Sequence, residues 1–185
     1  MTSDTDICNS ALTKVGANRI ISLDADTAEG RVCKEQYPKI KKAFLRGHLW
    51  NFATKRVQLA LSVTEPVFEF SYQYALPVDC LRVVGMEGET SFPWKVEGRY
   101  ILTDNNEAYI KYICDAAEGL FDDTAAEALA CALAVDICIP LTQSAGLKES
   151  LKVDYRDALR AARTFDAQEG AGDRVYADSW LNARY

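Results

Sequence analysis

The feature that most constrains this chain is a change in hydrophobic period at Leu49-Trp50-Asn51-Phe52-Ala53-Thr54-Lys55-Arg56. Before it, apolar residues recur at helical spacing. After Ala60 they alternate, and after Phe121 helical spacing returns. A chain that switches period twice builds helices at both ends and a sheet between them. Trp50 and Phe52 stand at the first switch, and each can bury some 150–250 Å². They are therefore expected to form the structural joint between the two layers.

The helical pattern opens with Ser3 as N-cap and Asp6 three residues later, and Ile7, Ala11, Leu12 and Val15 share one face until Gly16 ends it. The second helix is expected from about Thr27 to about Trp50, with Cys33, Tyr37, Ile40 and Phe44 facing in and a kink between Lys34 and Pro38. Its other face carries Lys34, Lys39, Lys41, Lys42 and Arg46, a basic patch suited to water or to an acidic partner.

In the middle, Phe68, Phe70, Tyr72 and Tyr74 alternate with polar residues, as in a half-buried strand. Further strands are expected at Leu81–Met86, Trp94–Glu97, Tyr100–Thr103 and Ala108–Cys114, and their short connections suggest an antiparallel meander. Asp122 and Asp123 then cap a small-residue helix over Ala125–Leu141, apolar on most sides, with Glu127 completing a capping box from Thr124. A last helix, about Leu147 to Glu169, turns Leu151, Tyr155, Leu159, Ala162 and Phe165 inward. The polar end after Gly170 still carries Tyr176, Trp180, Leu181 and Tyr185, which suggests a docking peptide.

The 185 residues suffice for one domain or one domain with an insertion. A net charge of −6 argues against a surface built to grip nucleic acid, which relies on Lys and Arg. Six cysteines at 8, 33, 80, 114, 131 and 138 form no Cys-x-x-Cys pair, and one histidine is available to join them. Free buried thiols in a reducing compartment are the simpler expectation, with no metal and no cofactor. No apolar run approaches the ~20 residues of a membrane span. Phosphate-cradling and nucleophile-elbow glycine motifs are missing, and His48 among bulky side chains reads as packing, so no enzyme is expected.

The order Ile7-Cys8-Asn9-x-Ala11-Leu12-x3-Gly16, Cys33-x3-Tyr37-Pro38 and Leu45-x2-His48-x-Trp50-Asn51-Phe52-Ala53-x-Lys55-Arg56 resembles the head–tail adaptors of tailed bacteriophages. The nearest type is the tail tubular protein A, or gatekeeper, of short-tailed phages. Tyr74-Ala75-Leu76-Pro77-x-Asp79-Cys80-Leu81-Arg82-Val83 and Gly98-x-Tyr100-Ile101-Leu102-Thr103-Asp104 extend the likeness over nearly the whole chain. Leu49 departs from it, standing where relatives often have proline.

The resemblance implies an α+β protein: a mainly α-helical bundle (residues 1–60 and 115–170), an inserted antiparallel β-sheet (61–114) and an extended C-terminal tail (171–185). It implies a structural part of the virion, assembled in the host cytoplasm. Copies would form a ring, typically of twelve, between the portal protein and a downstream nozzle or tail-tube protein. Portal binding would fall to Arg174, Tyr176, Trp180, Leu181 and Tyr185. DNA would be a non-specific passenger, repelled by an acidic lumen. For the subunit interface, the basic patch Lys39, Lys41, Lys42 and Arg46 is expected to face an acidic stretch, Asp115, Glu118, Asp122, Asp123 and Glu127, of the next copy. An adaptor or stopper of a long-tailed phage is the near alternative, and a monomeric partner-binding module the alternative from another class.

Overall fold

The structure, a computed structural model, describes residues 2–87 and 92–169. It is mixed α+β, with four helices and two three-stranded antiparallel sheets among those residues.

Helix α1 (Asp4–Val15) begins as its sequence dictates. Ser3 accepts from the Asp6 N–H while the Asp6 carboxylate accepts from the Ser3 N–H, and Gly16 closes the helix at φ 73°, a conformation that suits glycine. Asn9 is buried and works outward from the helix. Its side chain donates to the Ile20 carbonyl at 2.9 Å and accepts from the Ile20 N–H at 2.8 Å, pinning the connection to the next helix.

Helix α2 (Ala28–Arg46) contains Pro38 and stops short of the expected Trp50. Gly47 caps it, and the Phe44 carbonyl, left without a helical donor at this end, accepts from Gly47 N–H and from the indole N–H of Trp50. The aromatic that was expected to close the helix instead bends back to cap it. A 3-10 turn (Asn51–Ala53) then leads directly into strand β1 (Thr54–Gln58), within residues 1–60 that were assigned to the helical bundle.

The other strands are β2 (Tyr72–Ala75), β3 (Cys80–Met86), β4 (Trp94–Glu97), β5 (Tyr100–Thr103) and β6 (Tyr109–Cys114). They form no single meander. One sheet has the order β1-β6-β3 and the other β2-β5-β4. Among the described residues only β4 and β5 make a simple hairpin, turning at Gly98 with φ 58°. Residues 68–71, expected to begin a strand, lie outside it, and Phe68 is exposed while Tyr74 is buried.

Helix α3 (Asp123–Thr142) is the hub, packed against α1, α2 and α4 (Ala145–Gln168). Its alanines at 125, 128, 130 and 134 are fully or almost fully buried, allowing neighbouring backbones to come close. Contrary to the sequence expectation, it is long and apolar enough to cross a membrane by length and composition alone. Here 61% of its most apolar stretch is buried by the protein itself, as in a core helix. Helices and both sheets contribute to one continuous core.

Candidate functional site

Three groups of side chains brace the helices, their connections and the first sheet, and they draw on the motifs singled out in the sequence. The first is the joint. Trp50 is completely buried and stacks on Phe44 at 4.8 Å, meets the edge of His48 at 4.5 Å and leans on Phe52 at 5.5 Å; Phe52 in turn contacts Phe121 at 4.9 Å. A ladder of aromatic rings therefore runs from the end of α2 to the start of α3.

Asp166 of α4 closes this joint from the other side. One carboxylate oxygen accepts from Asn51 N–H at 2.8 Å and the other lies 3.0 Å from His48 Nε2, while the Asn51 amide donates to the Asp166 carbonyl at 2.6 Å. The sequence reading placed Phe165 on the inner face. Instead Phe165 is exposed and Asp166 is buried. The signal was present: the inward stripe Leu151, Tyr155, Leu159, Ala162 continues at helical spacing to 166, so an acid fell on an apolar face. A buried acid needs partners, and Asn51 and His48 are those partners.

The second group ties α2 to the segment between β6 and α3. Lys41 Nζ lies 2.9 Å from Glu118 and 3.3 Å from Asp115 Oδ1, an oxygen that otherwise has no hydrogen-bond partner, and Tyr37 donates to Glu118 at 3.0 Å. Burial pushes the Glu118 carboxyl upward, but hydrogen bonds from Lys41, its own backbone N–H and Tyr37 outweigh this and hold it below the usual range. The Tyr37 hydroxyl is pushed up, by burial first and by Glu118 second.

The third group centres on Asp79, just before β3. It accepts from Lys55 at 2.8 Å and from the Tyr112 hydroxyl at 3.2 Å, and its carbonyl accepts from Asp115 N–H at 2.8 Å. The Lys55 bond is the main cause of the lowered Asp79 pKa, and burial raises the Tyr112 pKa to about 12. Cys80 beside it is buried, with its thiol pushed up by that burial. All six cysteines are free and buried.

The residues expected at a subunit interface occupy varied settings within one chain. Lys39 pairs with Glu35 one turn earlier at 3.0 Å, and Lys42 stands 3.9 Å from Asp115. Arg46 donates to the Leu81 carbonyl, bracing α2 against β3. Asp122 caps α3 by accepting from the N–H groups of Thr124 and Ala125, both at 2.8 Å, and Asp123 is exposed in the first turn. Glu127 pairs with Lys14 of α1. The basic patch and the acidic stretch thus already meet inside one chain through Lys41 and Lys42, at Asp115 and Glu118. The expected portal-binding residues Arg174, Tyr176, Trp180, Leu181 and Tyr185 lie outside the described residues.

Elsewhere several apolar side chains stand in water. Ile21, Val63, Val67 and Val78 are each at least 97% exposed, and Phe68 is 79% exposed. A groove of about 660 Å³ opens at one end of the first sheet, with Val57, Met86 and Ile110 among its lining. Compared with known proteins, the chain matches no protein-family model and no curated protein.

Proposed function

We propose that this protein is a head–tail adaptor of a tailed bacteriophage, of the gatekeeper type found in short-tailed phages. It acts without catalysis, as one subunit of a ring between portal and tail that leaves a channel for DNA. In this reading α1 to α4 form the bundle that meets the portal with the segment Arg174 to Tyr185. The two sheets form the inserted part that faces the tail.

The observation that carries the reading is the use to which the resemblance residues are put. Asn9, Tyr37, Trp50, Asn51 and Phe52 are spent on clamps between helices and connections, and Lys55 with Asp79 on a tie within the first sheet. Such a pattern suits a rigid part that must carry load between two assemblies. Val63, Val67 and Phe68, exposed close together in one connection, add support, because apolar side chains clustered in water mark a site of association. Lys41 fits less well as a ring contact, since both of its carboxylate partners belong to its own chain.

Light scattering of the full chain, alone and mixed with a portal ring from a phage that carries it, tests the reading. The expected result is a ring, either free or formed on the portal, whose portal binding is lost when residues 174–185 are deleted. A chain that stays monomeric and ignores the portal would overturn it.

A further inference from the structure

Helices α2 and α4 both flank α3 and leave a groove between them. Ala132 and Val135 of α3 form its floor, with Ile40 and Phe44 of α2 on one wall and Tyr155 and Leu159 of α4 on the other. Phe44 is buried, but Ile40, Val135, Tyr155 and Leu159 each keep part of their apolar surface in the open. The space is about 270 Å³, room for one large side chain rather than for a helix.

Two opposite charges also line the groove. Whereas Arg160 pairs with Asp157 at 3.5 Å, neither Arg163 of α4 nor Asp136 of α3 forms an ion pair among the described residues. Burial is the main reason that the Tyr155 pKa is raised, with Arg163 lowering it and Asp136 raising it, so both charges stand near this wall of the groove. A short turn joins α3 to α4 and makes them antiparallel, which puts Arg163 toward the C-terminal end of α4 and Asp136 toward the opposite end.

The groove opens toward the place where the chain leaves α4. A more open channel lined by Thr164, Ala167 and Gln168 runs from the end of that helix and shares Leu159 and Arg163 with the groove. The next residues, Gly170-Ala171-Gly172, suit a reversal of direction. Leu159 lies about 15 Å back along the helix from Glu169. The chain from Glu169 to Trp180 can span about twice that when extended. After the reversal the sequence offers an acid, an apolar pair and a base, at Asp178, Trp180-Leu181 and Arg184. Passing back along α4, it would meet a base, an apolar slot and an acid in that order.

We propose that the groove between α2 and α4 is the seat of the chain's own segment 176–185, Trp180 entering against Leu159, Tyr155 and Val135 while Asp178 faces Arg163 and Arg184 faces Asp136. An aromatic in a slot with opposite charges at its rim matches the usual division between an energetic centre and a steering border. Tethering at the mouth of the groove gives this segment an effective concentration that a separate chain lacks. The seat goes beyond the adaptor reading and does not need it. Where that reading holds, Trp180 cannot occupy the groove and the portal at once, so the portal must draw the segment out.

Hydrogen exchange of the full chain, read over residues 176–185 across a dilution series, tests the seat. The variants are Trp180→Ser, Leu159→Glu, Arg163→Glu, and Arg163→Glu combined with Asp178→Arg. In wild type these amides are expected to exchange at least about tenfold more slowly than in an unstructured peptide, at every concentration. Trp180→Ser and Leu159→Glu should abolish that protection, Arg163→Glu should weaken it, and the paired reversal should restore it. Arg163 is exposed, so its reversal reports on the seat even where Leu159→Glu disturbs the fold.

Exchange at the free-peptide rate in wild type would overturn the seat, as would protection that no groove variant changes. Protection lost on dilution, with a matching fall in mass by light scattering, would put the segment in the groove of a second copy and overturn the self-contact. None of these outcomes decides the adaptor reading, which fails only if the chain ignores the portal.

Discussion

The joint around Trp50 and the excursion around Phe68 are built from similar residues and have opposite fates. Both combine large apolar side chains with acids nearby. At the joint each ring stacks on or abuts another, and the buried acid Asp166 is matched by Asn51 and His48. In the excursion the acids face water, and the apolar side chains have no cover. Aromatic content alone thus does not separate a core from a docking surface. What separates them is whether the polar groups between the rings find partners inside the chain.

The largest expected effect lies at the joint. Trp50→Ala removes a fully buried indole and its bond to the Phe44 carbonyl. Urea unfolding should show a loss of about 3–5 kcal/mol, the range for large aromatic deletions in cores. A loss under about 1 kcal/mol would mean that the ladder collapses to refill the space, and the contrast with the excursion would dissolve.

Asp166→Ala comes next. It strips the part-buried Asn51 N–H and His48 of their acceptor, at a cost of about 1 kcal/mol, the low end for donors that water can partly reach. Hydrogen exchange would localise the damage: the Asn51 amide should lose its protection while amides in β5 keep theirs.

These two residues also show how far the sequence could be read. The caps of α1, with Ser3, Asp6 and Gly16, follow from local chemistry, and β4 and β5 follow from alternation around a glycine turn. Each needs only its neighbours in sequence. Strand β1 has Val57 as its single strongly apolar residue, so no local pattern announces it. It is a strand because β6, far along the chain, supplies its hydrogen bonds. The pairing order of the two sheets was hidden for the same reason. Trp50 was legible as a joint by its position at the change of period, but the partner that completes it was not. Asp166 lies more than a hundred residues away, and only the misplacement of an acid on an apolar stripe pointed to it.

A smaller effect separates the Lys41 clamp from both regions by its response to acid. Glu118 has its folded pKa held below the ordinary 4.5, so its ionised form is favoured by folding. The stability it contributes is fully present above about pH 4.5 and is lost as pH falls through the lower folded value. Glu118→Gln should therefore melt below wild type near neutral pH, and the gap should narrow as the pH drops below about 4. A gap constant across that window would mean that the Lys41 pairing contributes nothing selective to the ionised form.

Phe68→Ser should have the smallest effect on the isolated fold, and that smallness is the point of it. Phe68 is 79% exposed, so little contact is lost on truncation, and surface changes of this kind stay within about 0.5 kcal/mol. The turn it sits beside is held by the backbone bond from Phe70 to its own carbonyl, which serine keeps. Chemical unfolding of dilute protein should thus superimpose on wild type, while association in concentrated samples should not. Were Phe68→Ser to unfold the monomer as Asp166→Ala does, the excursion would be a piece of core, and its exposed side chains would have to pack against part of their own chain. The ratio between the monomer cost of Trp50→Ala and that of Phe68→Ser therefore measures directly how differently one chain can use the same kind of side chain.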